Sequence, residues 1–313
     1  MSERWRPTAS VATLQARAQL YAGLRDYFAR HGVLEVETPI LSAAATVDRH
    51  IESFATAEVP GSPQRWLQTS PEFAMKRLLA AGSGPIWQIA RVFRRDEAGR
   101  HHNPEFSLLE WYRPGFDHRQ LMAEVEDLLC QTLGLHGPFP RLSYRDAFLL
   151  HAGFDPFQAP LQVLRALPQA AGLAAETDRD FWLDLWMSQV VGPRLGCGVP
   201  AFLHDFPPSQ AALAQVRDGV ALRFELFWDG LELANGFCEL TDAGEQARRF
   251  RADQDRRRAQ GLEVPPHDEQ LIAALRSGLP ACAGVALGLD RLLMCQLGLP
   301  DLASTLAFPA DRA

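Results

Sequence analysis

The chain has 313 residues, 47% of them hydrophobic, which suits one large domain or two small ones, with a core that needs no staples. A formal net charge of -7 argues against a general nucleic-acid binder, and no run approaches the ~20 apolar residues of a membrane span. The opening M-S-E-R-W-R-P-T lacks the apolar stretch of a secretory signal, and the five cysteines form no C-x-x-C pair, so reduced thiols in a cytoplasmic protein are expected rather than a zinc site or a disulfide framework.

Leu14, Ala18, Tyr21, Leu24 and Phe28 recur at helical spacing and predict a helix over 12–29, with Gly32 suited to its C-terminal end. An extended segment, V-L-E-V-E-T-P-I-L, follows and is stopped by Pro39. A strand is expected over 66–69. Ser70, Pro71 and Glu72 then open a helix: serine caps, proline suits the first turn, and glutamate favours the positive end. Met75 and Leu78 carry that helix to about residue 81, where Gly82 stops it. Strands over 86–93 and 105–112 flank a polar loop, 94–103, and form a hairpin. Residues 117–195 read as mostly helical with Pro and Gly breaks and carry no assignable motif. Strands return over 201–204, 222–228 and 231–239. Helices follow over 243–259 and 267–277, then a strand over 284–288 and a helix from Asp290. Strands clustered in hairpins with helices grouped between them predict an α+β fold, a mostly antiparallel sheet flanked by helices, as a single domain over 1–313.

Period-2 alternation places Phe106, Leu108, Glu110 and Tyr112 on one strand face. Such a face is either solvated or the floor of a site that stacks a base and receives a cation. The loop holds Arg94, Arg95, Asp96, Arg100, His101, His102 and Asn103. Guanidinium forks suit phosphate, although a charged surface loop has the same composition. Gly288-Leu289-Asp290-Arg291 joins a strand to a helix, a junction that aims N–H groups and the helix dipole at anions. Glu225, Glu232 and Glu239 lie in apolar strand sequence. They either alternate towards solvent or are buried, and buried carboxylates need a partner such as magnesium. The basic run 248–258 alternates with Asp253 and Asp255 and reads as a solvated helix face or a docking surface for an acidic partner.

Taken jointly, E-V-E-T-P, then V-F-R-R-D-E with H-N-P-E-F-S-L-L-E-W-Y, then N-G-F-C-E-L and G-V-A-L-G-L-D-R resemble the motifs of class II aminoacyl-tRNA synthetases, in particular the lysine branch. The resemblance spans about residues 9–313 and implies the class II catalytic fold, with dimerisation through motif 1 (the first helix and strand). Within that branch the chain is most similar to the short elongation factor P (R)-β-lysine ligases. Motif 1 begins about 30 residues from Met1, leaving no room for an N-terminal OB-fold that grips an anticodon, and Ala286 stands where the synthetases usually have glycine. The implied substrates are ATP, (R)-β-lysine or lysine, and elongation factor P. Magnesium is the implied ion, a homodimer the implied assembly, and neither a membrane nor anticodon-dependent tRNA binding is expected.

The resemblance also implies roles. Arg94 would hold the α-phosphate and the substrate carboxylate, and Arg291 the far phosphate; both are the expected catalytic groups. Arg95 and Asp96 would sit beside ATP, His102 and Asn103 would contact it, and Phe106 would stack on adenine. Glu225 and Glu232 would hold magnesium, the Glu232-Leu233 backbone would line the nucleotide, and Gly288 would allow its close approach. Ser70, Pro71 and Glu72 would line the amino-acid pocket, with Glu72 and Glu110 near the amine closer to the carboxylate. Tyr112 and Glu239 would receive the ε-ammonium, Asn235 would orient the substrate, and the Ala286 methyl would favour the β-isomer. The chain departs from the family's R-N-E at Arg94-Arg95-Asp96, and Cys238 replaces another residue with no role assigned. Three other readings share parts of this pattern. They are a truncated lysyl-tRNA synthetase with another acceptor, a catalytically dead regulatory paralogue, and asparagine synthetase A, whose acidic substrate Glu110 and Glu239 would repel.

Overall fold

The computed structural model describes residues 5–48, 50–56, 61–167, 173 and 176–313. Helix α1, Val11–Arg30, starts where the Ser10 hydroxyl accepts the Thr13 N–H at 3.1 Å, and Gly32 follows its end at a φ of 64°. Next come β1 (Leu34–Glu35), β2 (Leu41–Ser42), β3 (Trp66–Leu67), α2 (Glu72–Ala80), β4 (Ile86–Phe93) and β5 (Glu105–Pro114). Then follow α3 (His118–Leu133), β6 (Arg141–Ser143), α4 (Tyr144–His151), α5 (Leu161–Leu164) and α6 (Arg179–Trp186). The second half contains β7 (Ala201–Phe206), β8 (Val216–Arg217), β9 (Val220–Trp228), β10 (Leu231–Cys238), α7 (Ala243–Ala259), α8 (Glu269–Gly278), β11 (Cys282–Gly288) and α9 (Leu289–Leu297).

One large sheet runs β1-β4-β5-β11-β10-β9-β7-β6, with β8 on β9; β2 and β3 pair separately. The β1/β4 and β6/β7 pairs are parallel and the others antiparallel, so the fold is the expected α+β arrangement. On one face, Leu109 and Trp111 of β5 pack with Leu24 and Phe28 of α1 and Leu121 and Val125 of α3. On the other, Tyr112 packs with Met75 of α2, Phe250 of α7 and Leu271 of α8. A further apolar cluster joins α4 and α6 to β7 and β9. Each fully buried Leu or Phe contributes about 2 kcal/mol by area, so these layers dominate the cohesion of the sheet.

Some local expectations change. The single extended segment after α1 is two strands: β1 pairs with β4, and beyond Pro39, which has no N–H to donate, β2 leaves the large sheet for β3. Ser70 does not cap α2; Pro71 does so with no side-chain bond, while the Ser70 hydroxyl accepts the Glu72 N–H at 3.1 Å. The helical middle also contains β6, and part of it, 168–172 and 174–175, lies outside the described residues. Strand β5 is buried on both faces, because α1 and α3 cover one, and α2, α7 and α8 with the walls of the site described below cover the other. The basic run is largely a solvated face of α7: Arg256 pairs with Asp253 and Arg258 with Asp255.

Candidate active site

A cavity of about 550 Å³ lies on the sheet face opposite α1 and α3. Phe106 and Leu108 of β5, Ala286 and Gly288 of β11, and Asn235 and Phe237 of β10 line it. Glu232 and Asn235 both line it although they are three residues apart on one strand. The β10–β9 register skips Leu233, a bulge whose extra residue turns Glu232 back to the face that carries Asn235. The Asn235 carbonyl oxygen accepts from Arg223 Nε at 3.2 Å, which leaves its amide donors for the cavity.

Two arginines enter from different elements. Arg94 follows β4, with its guanidinium 5.1 Å from the Phe106 ring centroid and Nη1 donating to Glu97 Oε1 at 3.2 Å. Its Nε is a buried donor with no partner among the described residues. Arg291 lies in the first turn of α9. It donates to the Glu232 carbonyl at 2.9 Å and the His101 carbonyl at 3.2 Å, and stands 2.6 Å from His102 Nε2. Arginine can only donate, so His102 Nε2 accepts and the ring is neutral with its proton on Nδ1. Burial and then the Arg291 charge push the His102 pKa down, in keeping with that tautomer.

Directly behind Ser70 and Glu72, which line the cavity, sits a buried ionic cluster. The Ser70 and Tyr112 hydroxyls donate to the two oxygens of Glu110, each at 2.7 Å. The Lys76 ammonium lies 2.6 Å from Glu72 Oε1 and 2.5 Å from Glu239 Oε2. Lys76 and Glu239 are 2% and 1% exposed, so water does little to screen their charges. Burial, with the Glu72 charge adding to it, raises the pKa of Glu110; burial also raises that of Glu239, against the pull of Lys76. Gly284 of β11 makes room for this packing. A Cβ there would stand 2.2 Å from the Tyr112 ring and 2.6 Å from Glu239 Oε1.

The mouth is braced from α7. Buried Arg257 donates to the Asp48 carbonyl at 2.7 Å, the Glu263 carbonyl at 2.6 Å and Glu52 Oε1 at 2.7 Å. It thereby ties down Asp48 and Glu52 beside Ile51 and Ser53; of these four, Asp48, Ile51 and Ser53 line the cavity.

The family model for class II tRNA synthetases (D, K and N) matches residues 4–312. The chain belongs to the class II tRNA synthetases. Among curated proteins, one from Pseudoalteromonas translucida (strain TAC 125) named elongation factor P–(R)-β-lysine ligase is 50% identical, across 99% of this chain and 98% of its own length. Proteins of the same name from Salmonella typhi and Vibrio vulnificus (strain YJ016) are also 50% identical, across 99% of this chain and 98% and 99% of theirs.

This synthetase domain brings most of the expected residues to one cavity: Ser70, Pro71 and Glu72; Arg94, His102, Asn103 and Phe106; Glu232, Leu233 and Asn235; Ala286, Gly288 and Arg291. Glu110, Tyr112 and Glu239 are one layer deeper, behind the wall, because Lys76 occupies the space between Glu72 and Glu239. Arg95 and Asp96 turn away from the cavity. Arg95 reaches Glu52 at 3.5 Å, Asp96 is 71% exposed, and Glu97 takes the lining position instead. Glu225 is also outside the lining and is paired with Arg223. Lys76 and Glu97 were not singled out in the sequence; the spacing of four between Glu72 and Lys76 is a helical ion-pair signal that points to the first.

Proposed function

We propose that this chain activates (R)-β-lysine or lysine with ATP as an aminoacyl adenylate and transfers it to the ε-amine of a lysine on elongation factor P. The carrying observation is that one cavity joins two arginines, Arg94 with its unpartnered buried Nε and Arg291, to a buried cluster with surplus negative charge. A substrate with a carboxylate at one end and ammonium groups at the other suits that polarity. The end-to-end likeness to proteins named for this reaction supports the same reading.

In the first step a substrate carboxylate oxygen bonds to the α-phosphorus and the bond to pyrophosphate breaks. Arg94 and Arg291 offset the negative charge gathered there, and no covalent nucleophile is required of the protein. In the second, the acceptor amine attacks the carbonyl carbon, loses a proton and expels AMP. His102, Asn103 and Phe106 are proposed for the nucleotide, and Ser70, Glu72 and Asn235 for the amino acid.

The reading includes magnesium, held by Glu232 and Glu225. Glu232 lines the cavity, and burial followed by the Glu232 charge pushes the Glu225 pKa up to about 8. Glu225 stands outside the lining and is paired with Arg223, so Glu232 would be the first carboxylate to meet a hard divalent ion at the phosphate site, with Glu225 behind it. When bound there, the ion would supply positive charge to the phosphate oxygens. Pairing of two copies through the motif 1 region is also proposed, supported by Leu34 and Leu41, apolar yet 56% and 48% exposed beside the edge of the sheet.

The deciding experiment is ATP-dependent mass gain on purified elongation factor P, with lysine and (R)-β-lysine offered separately. A lysyl-sized gain, larger with the β-isomer, is expected. No gain with either would overturn the acceptor assignment.

A further inference from the structure

Three carboxylates, that of Glu72 in the cavity lining and those of Glu110 and Glu239 behind it, converge around one cation among the described residues, Lys76. Among the described residues, the groups that act on its ammonium are Glu72 of its own helix, Glu110 of β5, which the Tyr112 hydroxyl also bonds, Glu239 just beyond β10, and the buried thiol of Cys282 on β11. With every carboxylate ionised, one ammonium leaves two negative charges unmatched. Both Tyr112 and Ser70 spend their hydroxyl protons on Glu110, which leaves the rest of the cluster to Lys76.

We infer that Lys76 is a positioning residue for the amine end of the substrate, one that fixes Glu72 and Glu239 and sets the cluster's deficit at two positive charges. This rests on the reading given above. A substrate with two ammonium groups restores neutrality, whereas one with a single ammonium leaves a buried charge unpaired or requires a proton in its place. A second arm of the argument is geometric. Without the Lys76 ammonium between them, Glu72 and Glu239 would repel across the gap it fills, and Glu239 would take up a proton more readily. A protonated acid is a poor partner for an incoming ammonium.

The test is amino-acid-dependent pyrophosphate exchange across about pH 6 to 9, a window that spans the ordinary and raised carboxylate range. Wild type, Lys76→Met and Lys76→Arg are compared. In wild type the KM for the amino acid should fall as pH rises. Lys76→Met should raise that KM about tenfold or more at neutral pH, equivalent to one pKa unit or more, and move the fall in KM to higher pH. Its KM for ATP should stay within about twofold, since the phosphate end is untouched. Lys76→Arg, which keeps the charge, should restore the wild-type pH profile. A folded Lys76→Met with unchanged amino-acid KM and pH profile would overturn the inference and leave Lys76 a structural ion. Should Lys76→Met fail to fold, calorimetry of wild type with lysine in two buffers of different ionisation enthalpy decides. Net proton release on binding supports the deficit of two, and its absence overturns it. Wild type that supports no exchange with either lysine isomer would instead sink the activation reading itself, so the two failures are distinct.

Discussion

Arg17 of α1 donates to the carboxylate of Asp290 in the first turn of α9 at 2.5 Å, and the other oxygen of that carboxylate accepts the Ser107 N–H of β5 at 2.6 Å. Asp290 thus pins helix, strand and helix at one buried point, 2% exposed, and keeps the neighbouring Arg291 aimed at the cavity. Removing it leaves Arg17 and the Ser107 N–H without their partner. Asp290→Ala is expected to cost about 3 kcal/mol or more, the usual cost of breaking a buried pair from one side. Chemical denaturation would measure it; a loss below about 1 kcal/mol, typical of an exposed pair, would show the tie to be dispensable.

Among the described residues Arg94 has one ion pair, to Glu97, and a buried Nε with no partner. Its truncation should therefore cost little stability and much activity. Arg94→Ala is expected to lower adenylate formation about 10²–10³-fold, as for loss of a group that meets transition-state charge. Pyrophosphate exchange gives the rate, and near-normal exchange would remove Arg94 from the phosphate end.

The raised carboxylates make a statement about pH. Glu110 is pushed up to about 7 and Glu239 to about 8, each first by burial. Between the ordinary carboxylate range and those values the folded protein binds more protons than the unfolded chain. Stability without ligand is therefore greatest on the acid side of this window and declines as pH rises from about 5 to about 8. A melting series in that window should show a falling Tm, and lysine should recover more of it at pH 8 than at pH 6. A Tm that rises across the window would contradict the assignment.

At Gly284 a side chain would meet two buried side chains, those of Tyr112 and Glu239. Gly284→Ala would press a methyl against the Tyr112 ring and Glu239, and a cost of about 1–3 kcal/mol is expected from overpacking. Because the displaced groups belong to the amine cluster, the amino-acid KM should rise while the ATP KM does not. Parallel changes in both would mean the damage spreads through the sheet.

Ala286 pairs across the sheet with Glu110 on one side and Asn235 on the other, and its methyl lines the cavity. Ala286→Gly should shift the preference from (R)-β-lysine towards lysine by about tenfold, since one methyl in a pocket is worth about 1–3 kcal/mol. The ratio of kcat/KM for the two isomers is the readout, and an unchanged ratio would clear the methyl of any selective role.

Much of this was legible in the chain where the signal is local. The β4–β5 hairpin follows from period-2 alternation on either side of a polar loop, and α7 lies where a helix over 243–259 with an alternating charged face was expected. The arginines and the strand-to-helix junction at Gly288 were visible as residue types suited to anions. What escaped depends on partners distant in sequence. Lys76 has the spacing of an exposed helix pair with Glu72, yet it is buried and also paired with Glu239, far away in sequence. The Leu233 bulge has no residue signature, yet it decides which face Glu232 joins. A turn at Arg95 and Asp96 exchanges the expected lining residue for Glu97, a change of one position that alternation alone does not reveal.

Strand β11 is the last one in the chain, yet it lies in the middle of the sheet, between β5 and β10. Until it inserts, the strands before α3 and those after α6 are two half-sheets with open edges. Those edges could pair with another molecule instead. The floor of the site, made of Phe106 from one half and Asn235 from the other, does not exist as a surface until Ala286 joins them. Assembly of the site and closure of the sheet thus require the same strand, and a chain that stops short of residue 282 would present open sheet edges and no site.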